Sequence, residues 1–375
     1  MIKHFSSISF FFAIIASLIA GCKNQPETEV ADTFNRVTLP PADTISFARM
    51  KEATFDSFFH KYVEKTAYIN LQQSDSSFIL VNKIISRSGK IYILDQRKAV
   101  IAVYDSTGAL QHIFSGKNDY ARIADFEVDQ QENLYLLDGK NERLLCYSPS
   151  YNLLYKKNLP FETDIIYPMS NGNFLLSLSS WNSRYNKGEK LIQTDSLLHV
   201  KKKYLKYNDE VDHTYWIKGY RFLPAADKIY FNRPIENSVY ILSPGGDLTA
   251  VYYFDFGDMN VPGEDKKNIE ANLPKYSHYR LLTDFTFIND QFALGKIWDK
   301  RRFRFFYLDR ASNTIYLEDP NRSSPLKYIG DFNGSQLVSI IYPGEFNEKD
   351  YASLPNQQKQ WLLQGGYVLC RLWLK

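Results

Sequence analysis

The chain has 375 residues, a net charge of +3 from 45 basic and 42 acidic side chains, and 15% aromatic residues, among them 27 Tyr and 26 Phe. The even charge balance argues against a general affinity for nucleic acid or anionic surfaces, and three Cys are too few for a disulfide-stapled scaffold. The length suits one large domain or two ordinary ones, each with a hydrophobic core.

Residues 1–21 read as an export signal. Lys3 and His4 give a short basic start, and Phe10 to Ala20 is apolar but too short for a comfortable membrane span. The run Leu18-Ile19-Ala20-Gly21-Cys22 resembles the bacterial lipobox, which implies cleavage before Cys22 and acylation of its thiol. Several acyl chains on one Cys would anchor the protein firmly, at about 0.8 kcal/mol per buried methylene. Residues 22–41 are rich in polar residues and Pro and read as a flexible tether. Residues 42–66 form a helical or irregular segment, in which Phe55 to Val63 has helical apolar spacing and is expected to pack outside the main domain.

Residues 67–375 carry a repeat. KIYILD from Lys90 and NLYLLD from Asn133 each follow a polar turn, place Tyr third and end on Asp, at Asp95 and Asp138. A repeat of this length built from short strands marks a β-propeller blade. The same strand returns near residues 173, 228, 291 and 336, which makes six units. Turn pairs precede these strands: Ser88-Gly89, Asn171-Gly172, Ala226-Asp227, Asn289-Asp290 and Asn333-Gly334. The spacing predicts an all-β fold, a six-bladed propeller of four-stranded antiparallel blades. Ala67 to Leu71 and the terminal Tyr367 to Leu374 are the strands expected to close the ring, which removes an exposed edge. Two separate β-sandwiches would need a mid-chain linker, and none is present. Two longer steps hold insertions, one with His213 and Trp216, the other with a helix expected near Glu264 to Tyr276. Lys201-Lys202-Lys203 reads as a solvated strand edge. Cys146 and Cys370 fall in different blades and are expected to be buried free thiols.

The lipobox, the IYILD strand, the VYDSTGAL turn, the IADFEVD segment and the closing apolar strand together resemble one family. It is the six-bladed β-propeller lipoproteins abundant in Bacteroidetes, distant relatives of NHL-repeat propellers. Gly116-Lys117-Asn118-Asp119-Tyr120 stands where such proteins often carry a longer glycine-rich loop. The resemblance implies fold and envelope location, and no particular activity.

Catalytic signatures of the HExxH, GxSxG, Walker and CxxC kinds are absent. His213 stands beside Asp209, Glu210 and Asp212 in what reads as an acidic surface loop. Asp95 and Asp138 are expected to cap turns rather than to bind calcium or catalyse. The loops joining second to third strands share one propeller face with those joining successive blades, and the chain puts its length there. Trp181, Arg184, Tyr185, Trp216, Arg233, Trp298 and Arg301 are the candidate ligand contacts, since flat rings stack on sugars or peptides and Arg pairs with carboxylates. The expected function is a membrane-anchored, monomeric binding module of the cell envelope, for a glycan, a peptide or an envelope protein. The alternative is a metal-dependent lactonase, lyase or hydrolase with its site at the central channel. No cofactor is implied, and scattered ligands for a divalent metal in that channel are neither visible nor excluded.

Overall fold

The computed structural model describes residues 35–375, apart from 75–77, 117–118, 208–220, 234–235, 267–274, 320, 323, 348, 350 and 352–353, and the side chains of Asn35, Arg233, Lys275 and Asp284. Six antiparallel sheets form a six-bladed β-propeller. Blade 1 runs Lys83–Arg87, Lys90–Asp95, Val100–Tyr104 and Leu110–Ser115 from the channel outward. Blade 2 follows with Ile123–Val128, Leu134–Asp138, Arg143–Tyr147 and Leu153–Asn158. Blade 3 is Thr163–Pro168, Phe174–Leu178, Glu189–Thr194 and Val200–Lys206; blade 4 is Phe222–Ala225, Lys228–Arg233, Ser238–Leu242 and Leu248–Asp255. Blade 5 is Arg280–Ile288, Phe292–Asp299, Arg302–Asp309 and Thr314–Leu317. Every second strand starts within one residue of its expected position.

The two middle strands of a blade are sandwiched between neighbouring blades, so their apolar runs are continuous rather than alternating. All five side chains of Val100–Tyr104 are buried, whereas the outer Leu153–Asn158 keeps most of its side chains partly or fully exposed. The Ser88-Gly89 hairpin has φ of 51° and 77°, the positive pair that a tight twisted turn requires. Apolar clusters join each blade to the next: Leu94 and Ile101 of blade 1 pack with Phe126 and Leu136 of blade 2, and Ile84 and Ile91 of blade 1 with Val338 and Leu369 of blade 6. The last contact closes the ring.

Closure uses both chain ends. Blade 6 comprises Ile329–Phe332, Gln336–Ile341, Tyr367–Leu374 and, outermost, Val63–Leu71. Tyr367 opposes Leu71 and Cys370 opposes Tyr68 along this pairing. The N-terminal partner is therefore four residues longer than the apolar AYINL run alone suggests. Beside it the turn at Gly108 (φ 89°) comes so close that an added Cβ would lie 2.1 Å from the Asn70 carbonyl oxygen, a place only glycine can fill.

Residues before that strand wrap the rim. Asn35–Arg36, Ala42–Ser46 and Lys51–Ala53 add a parallel fifth strand to blades 3, 4 and 5 in turn, and the helix Phe55–Tyr62 follows. That helix carries the apolar spacing seen in the sequence, whereas the strands around it were not anticipated. Asn35 and Arg36 pair with Lys202 and Lys203, so the lysine run is a covered strand and not a free edge. Lys203 is buried, and Lys202 reaches Asp247 at 2.7 Å. The helix expected near Glu264 to Tyr276 falls largely on residues 267–274, outside the described residues; the 3-10 turns Gly263–Lys266 and Lys275–His278 flank them. Cys146 and Cys370 are buried free thiols, as expected.

Candidate binding face

The repeated aspartates hold the loops of one propeller face. Asp95 Oδ2 accepts from the backbone N–H groups of Ile79 (2.9 Å) and Leu80 (3.0 Å), and Oδ1 from Lys98. Asp138 accepts from Ala121, Arg122, Lys140 and Asn141 backbone N–H groups and from Asn141 Nδ2 at 2.6 Å. Burial opposes ionisation of both carboxyls, but these donors outweigh it and hold their pKa values below the usual range. Each Asp thus clamps the incoming inter-blade segment onto its own turn, which is the expected capping role extended between blades.

In blade 3 the clamp is an asparagine. Asn182 is buried; its Oδ1 accepts from the N–H groups of Glu162 and Arg184, both at 3.3 Å, and its Nδ2 donates to the Tyr185 carbonyl at 3.0 Å. With the polar residue turned inward, the rings on either side point out: Trp181 is 58% exposed and Tyr185 70%. Two large aromatics exposed on one loop offer flat area for contact with a partner. Arg184 forms an ion pair with Glu142 of blade 2. Between the two blades lies a cleft of about 170 Å³, lined by Trp181, Arg122, Asp138, Glu142, Glu162 and Asp164 among others. Ser179 Oγ donates to Asp164 at 2.5 Å.

The other candidates are placed differently. Trp298 is buried; its Nε1 donates to the Tyr276 carbonyl at 3.3 Å and its ring meets Phe303 edge-on. It packs the insertion before blade 5 and is not part of an open surface. Arg301 is exposed in the turn that follows, at a positive φ of 66°. Arg233 ends the second strand of blade 4, with its side chain outside the description, and Trp216 and His213 lie outside the described residues. Among the described residues, blade 3 therefore brings several together: Trp181, Arg184 and Tyr185. Asn182 and Glu142 were missed, although the polar residues inside WNSRY were available as a signal.

The first strands of the blades carry buried charge that pairs from blade to blade. Lys83 Nζ contacts Asp125 Oδ1 (3.0 Å), Glu127 Oε2 (3.1 Å) and the Phe126 carbonyl (2.7 Å), all buried. Burial pushes the Asp125 carboxyl up while Lys83 opposes, and burial likewise raises Asp331 against the pull of Arg221. Both aspartates stitch blades, Asp125 through the Ile166 N–H and Asp331 through the Ser86 N–H. Among the described residues no three His, Cys, Asp or Glu side chains are grouped to hold a metal ion.

The chain is similar to several solved structures. A protein named as exported from Bacteroides fragilis superposes with a TM-score of 0.69 at 16% identity, over 89% of this chain and 100% of its own. A member of the DUF4221 family from Bacteroides vulgatus gives 0.50 at 10% identity, over 84% and 97%. Virginiamycin B lyase from Staphylococcus aureus gives 0.45 at 13% identity, over 83% and 99%, too distant to bear on activity. No functionally curated protein matches the sequence. Residues 46–364, nearly the whole ring, match the model of a domain of unknown function, DUF4934, and the chain belongs to that family.

Proposed function

We propose that the protein is an exported lipoprotein, anchored at Cys22, that binds a glycan, a peptide or an envelope protein through the face carrying Trp181 and Tyr185. The observation that carries this reading is the buried Asn182, which spends its hydrogen bonds on holding two large rings out in water beside an acidic cleft. A rigid ring displaying flat aromatics loses little entropy on binding, so the rings supply stacking area with little ordering cost. The lipobox-like run ending in Cys22, and the likeness to a Bacteroides protein named as exported, support the envelope location. The propeller fold carries no activity by itself. The channel-enzyme alternative gains no support from Asp125 and Glu127, which both contact the Lys83 ammonium.

Two experiments test it. Glycan arrays and envelope extracts probed with the wild type and with Trp181→Ala/Tyr185→Ala should show ligands that the double variant loses by about tenfold or more; equal retention contradicts the assignment. Cys22→Ala should move the protein from the membrane to the soluble fraction, and unchanged partitioning would refute the anchor.

A further inference from the structure

A second interaction element is built into the inner hairpin of blade 5, apart from the blade 3 loop. In blades 1, 2 and 4 the second and third strands pair at five positions and are joined by four residues. In blade 5 they pair at eight, from Phe292 opposite Asp309 to Asp299 opposite Arg302, and Lys300-Arg301 alone joins them. Phe292 holds the place of Ile91, Leu134 and Ile229 at the start of the repeated strand, so the added pairs lie at the turn. At about 3.4 Å per residue they lengthen the ladder there by about 10 Å.

The extension is braced on both sides. Trp298 donates its Nε1 to the Tyr276 carbonyl in the preceding insertion at 3.3 Å, and Arg304 donates Nε to the Glu318 carbonyl at 2.6 Å, at the start of the connection that follows. Asp299, the acid of the turn, is buried and forms ion pairs with Arg280 (3.2 Å) and Arg304. The tip itself, Lys300-Arg301-Arg302-Phe303, holds no acid, and all four of its residues are exposed, Phe303 by 45%. Lys300 and Arg301 occupy the two-residue turn with φ of 49° and 66°. Such turns favour Asn-Gly, because a side chain at positive φ is strained. Among the described residues no other turn puts two adjacent non-glycine residues at positive φ, and here both are long cations.

We propose that this tip docks on an anionic membrane surface, with Lys300, Arg301 and Arg302 on lipid phosphates and the Phe303 ring at the headgroup boundary. Each Lys or Arg beside an anionic lipid surface strengthens attachment by about fivefold, and an adjacent exposed aromatic adds apolar contact. The charge of the whole chain is nearly balanced, so the attraction is local to the tip. A membrane fits better than an acidic protein. One turn offers far less than the roughly 800 Å² per partner of a standard protein interface, whereas a flat surface is met by whatever projects toward it. The contact requires neither acylation of Cys22 nor the blade 3 loop.

The test is co-sedimentation with lipid vesicles of residues 35–375, which hold every strand of the six sheets but neither Cys22 nor the apolar run of the export signal. One set of vesicles is phosphatidylcholine alone, and the other contains an equal part of phosphatidylglycerol. Binding is expected only with the anionic set, and it should fall as salt is added. Lys300→Asn/Arg301→Gly keeps the turn and relieves its positive φ, so this variant should melt no lower than the parent, yet bind the anionic vesicles about tenfold or more weakly. No sedimentation of the parent with anionic vesicles overturns the proposal, as does equal binding to both sets or unchanged binding of the double variant. Retention on immobilised polyphosphate without vesicle binding would assign the tip to a soluble polyanion and is equally contrary.

Discussion

Ring closure by the C-terminal strand is the feature on which the domain's stability should depend most, and deletion of Tyr367–Lys375 removes it. The strand pairs at eight positions with Val63–Leu71 and at six with Gln336–Ile341, so its loss leaves two edges unpaired at once. Val368, Leu369 and Leu372 are wholly buried, and burying three such side chains is worth roughly 5–9 kcal/mol. A typical domain has a total stability of about 5–15 kcal/mol. The truncated chain should therefore lose its cooperative transition. Because Trp373 goes with the strand, urea unfolding should be followed by far-ultraviolet circular dichroism and not by fluorescence. The milder Leu369→Ala should keep a cooperative transition, its midpoint lowered by a cost of about 2–5 kcal/mol. A truncated protein with the parent's midpoint and slope would refute the closure, since the slope reports the surface that unfolding exposes.

Two further perturbations probe single carboxyls. Glu318 has its folded pKa raised from 4.5 to about 7, so the folded state holds the extra proton and stability falls as pH rises between those values. Glu318→Gln removes that penalty: it should match the wild type near pH 4.5 and exceed it by about 3 kcal/mol above pH 8, and an equal difference at both pH values would contradict the burial argument. Asp138→Ala strips the donors of blade 2's clamp of their acceptor and should cost about 2–4 kcal/mol in denaturant melts. Because the Asp138 pKa is depressed, this contribution is full above the carboxyl's unfolded pKa and fades as pH falls through the folded value; a cost that persists in strong acid would argue against it.

The blades were legible in the sequence because each inner hairpin announces itself locally. Ser88-Gly89 can form the tight turn, and the apolar runs on either side are long enough to be strands sandwiched between neighbours. The rim wrap was not legible. Asn35–Arg36 and Lys51–Ala53 have two and three residues and almost no apolar pattern, and they join the blades through backbone hydrogen bonds, which any side chains allow. The same holds for the insertion before blade 5. Whether Trp298 faces water or Tyr276 depends on a contact between segments over twenty residues apart, and composition is silent about that. At the site, Trp181 and Tyr185 stood out by type and by loop position. Their presentation rests on Asn182, one polar residue whose role appears only when the Glu162 segment of the preceding connection is seen beside it.

The central claim, that one face of the ring binds, is tested most directly by site-specific photo-cross-linking in intact cells. A photoreactive residue at Tyr185 is compared with one at Thr107, which lies in the Asp105–Gly108 turn on the opposite face. The account predicts discrete adducts from position 185 and none from position 107. Adducts of equal strength from both positions, or from 107 alone, would contradict it.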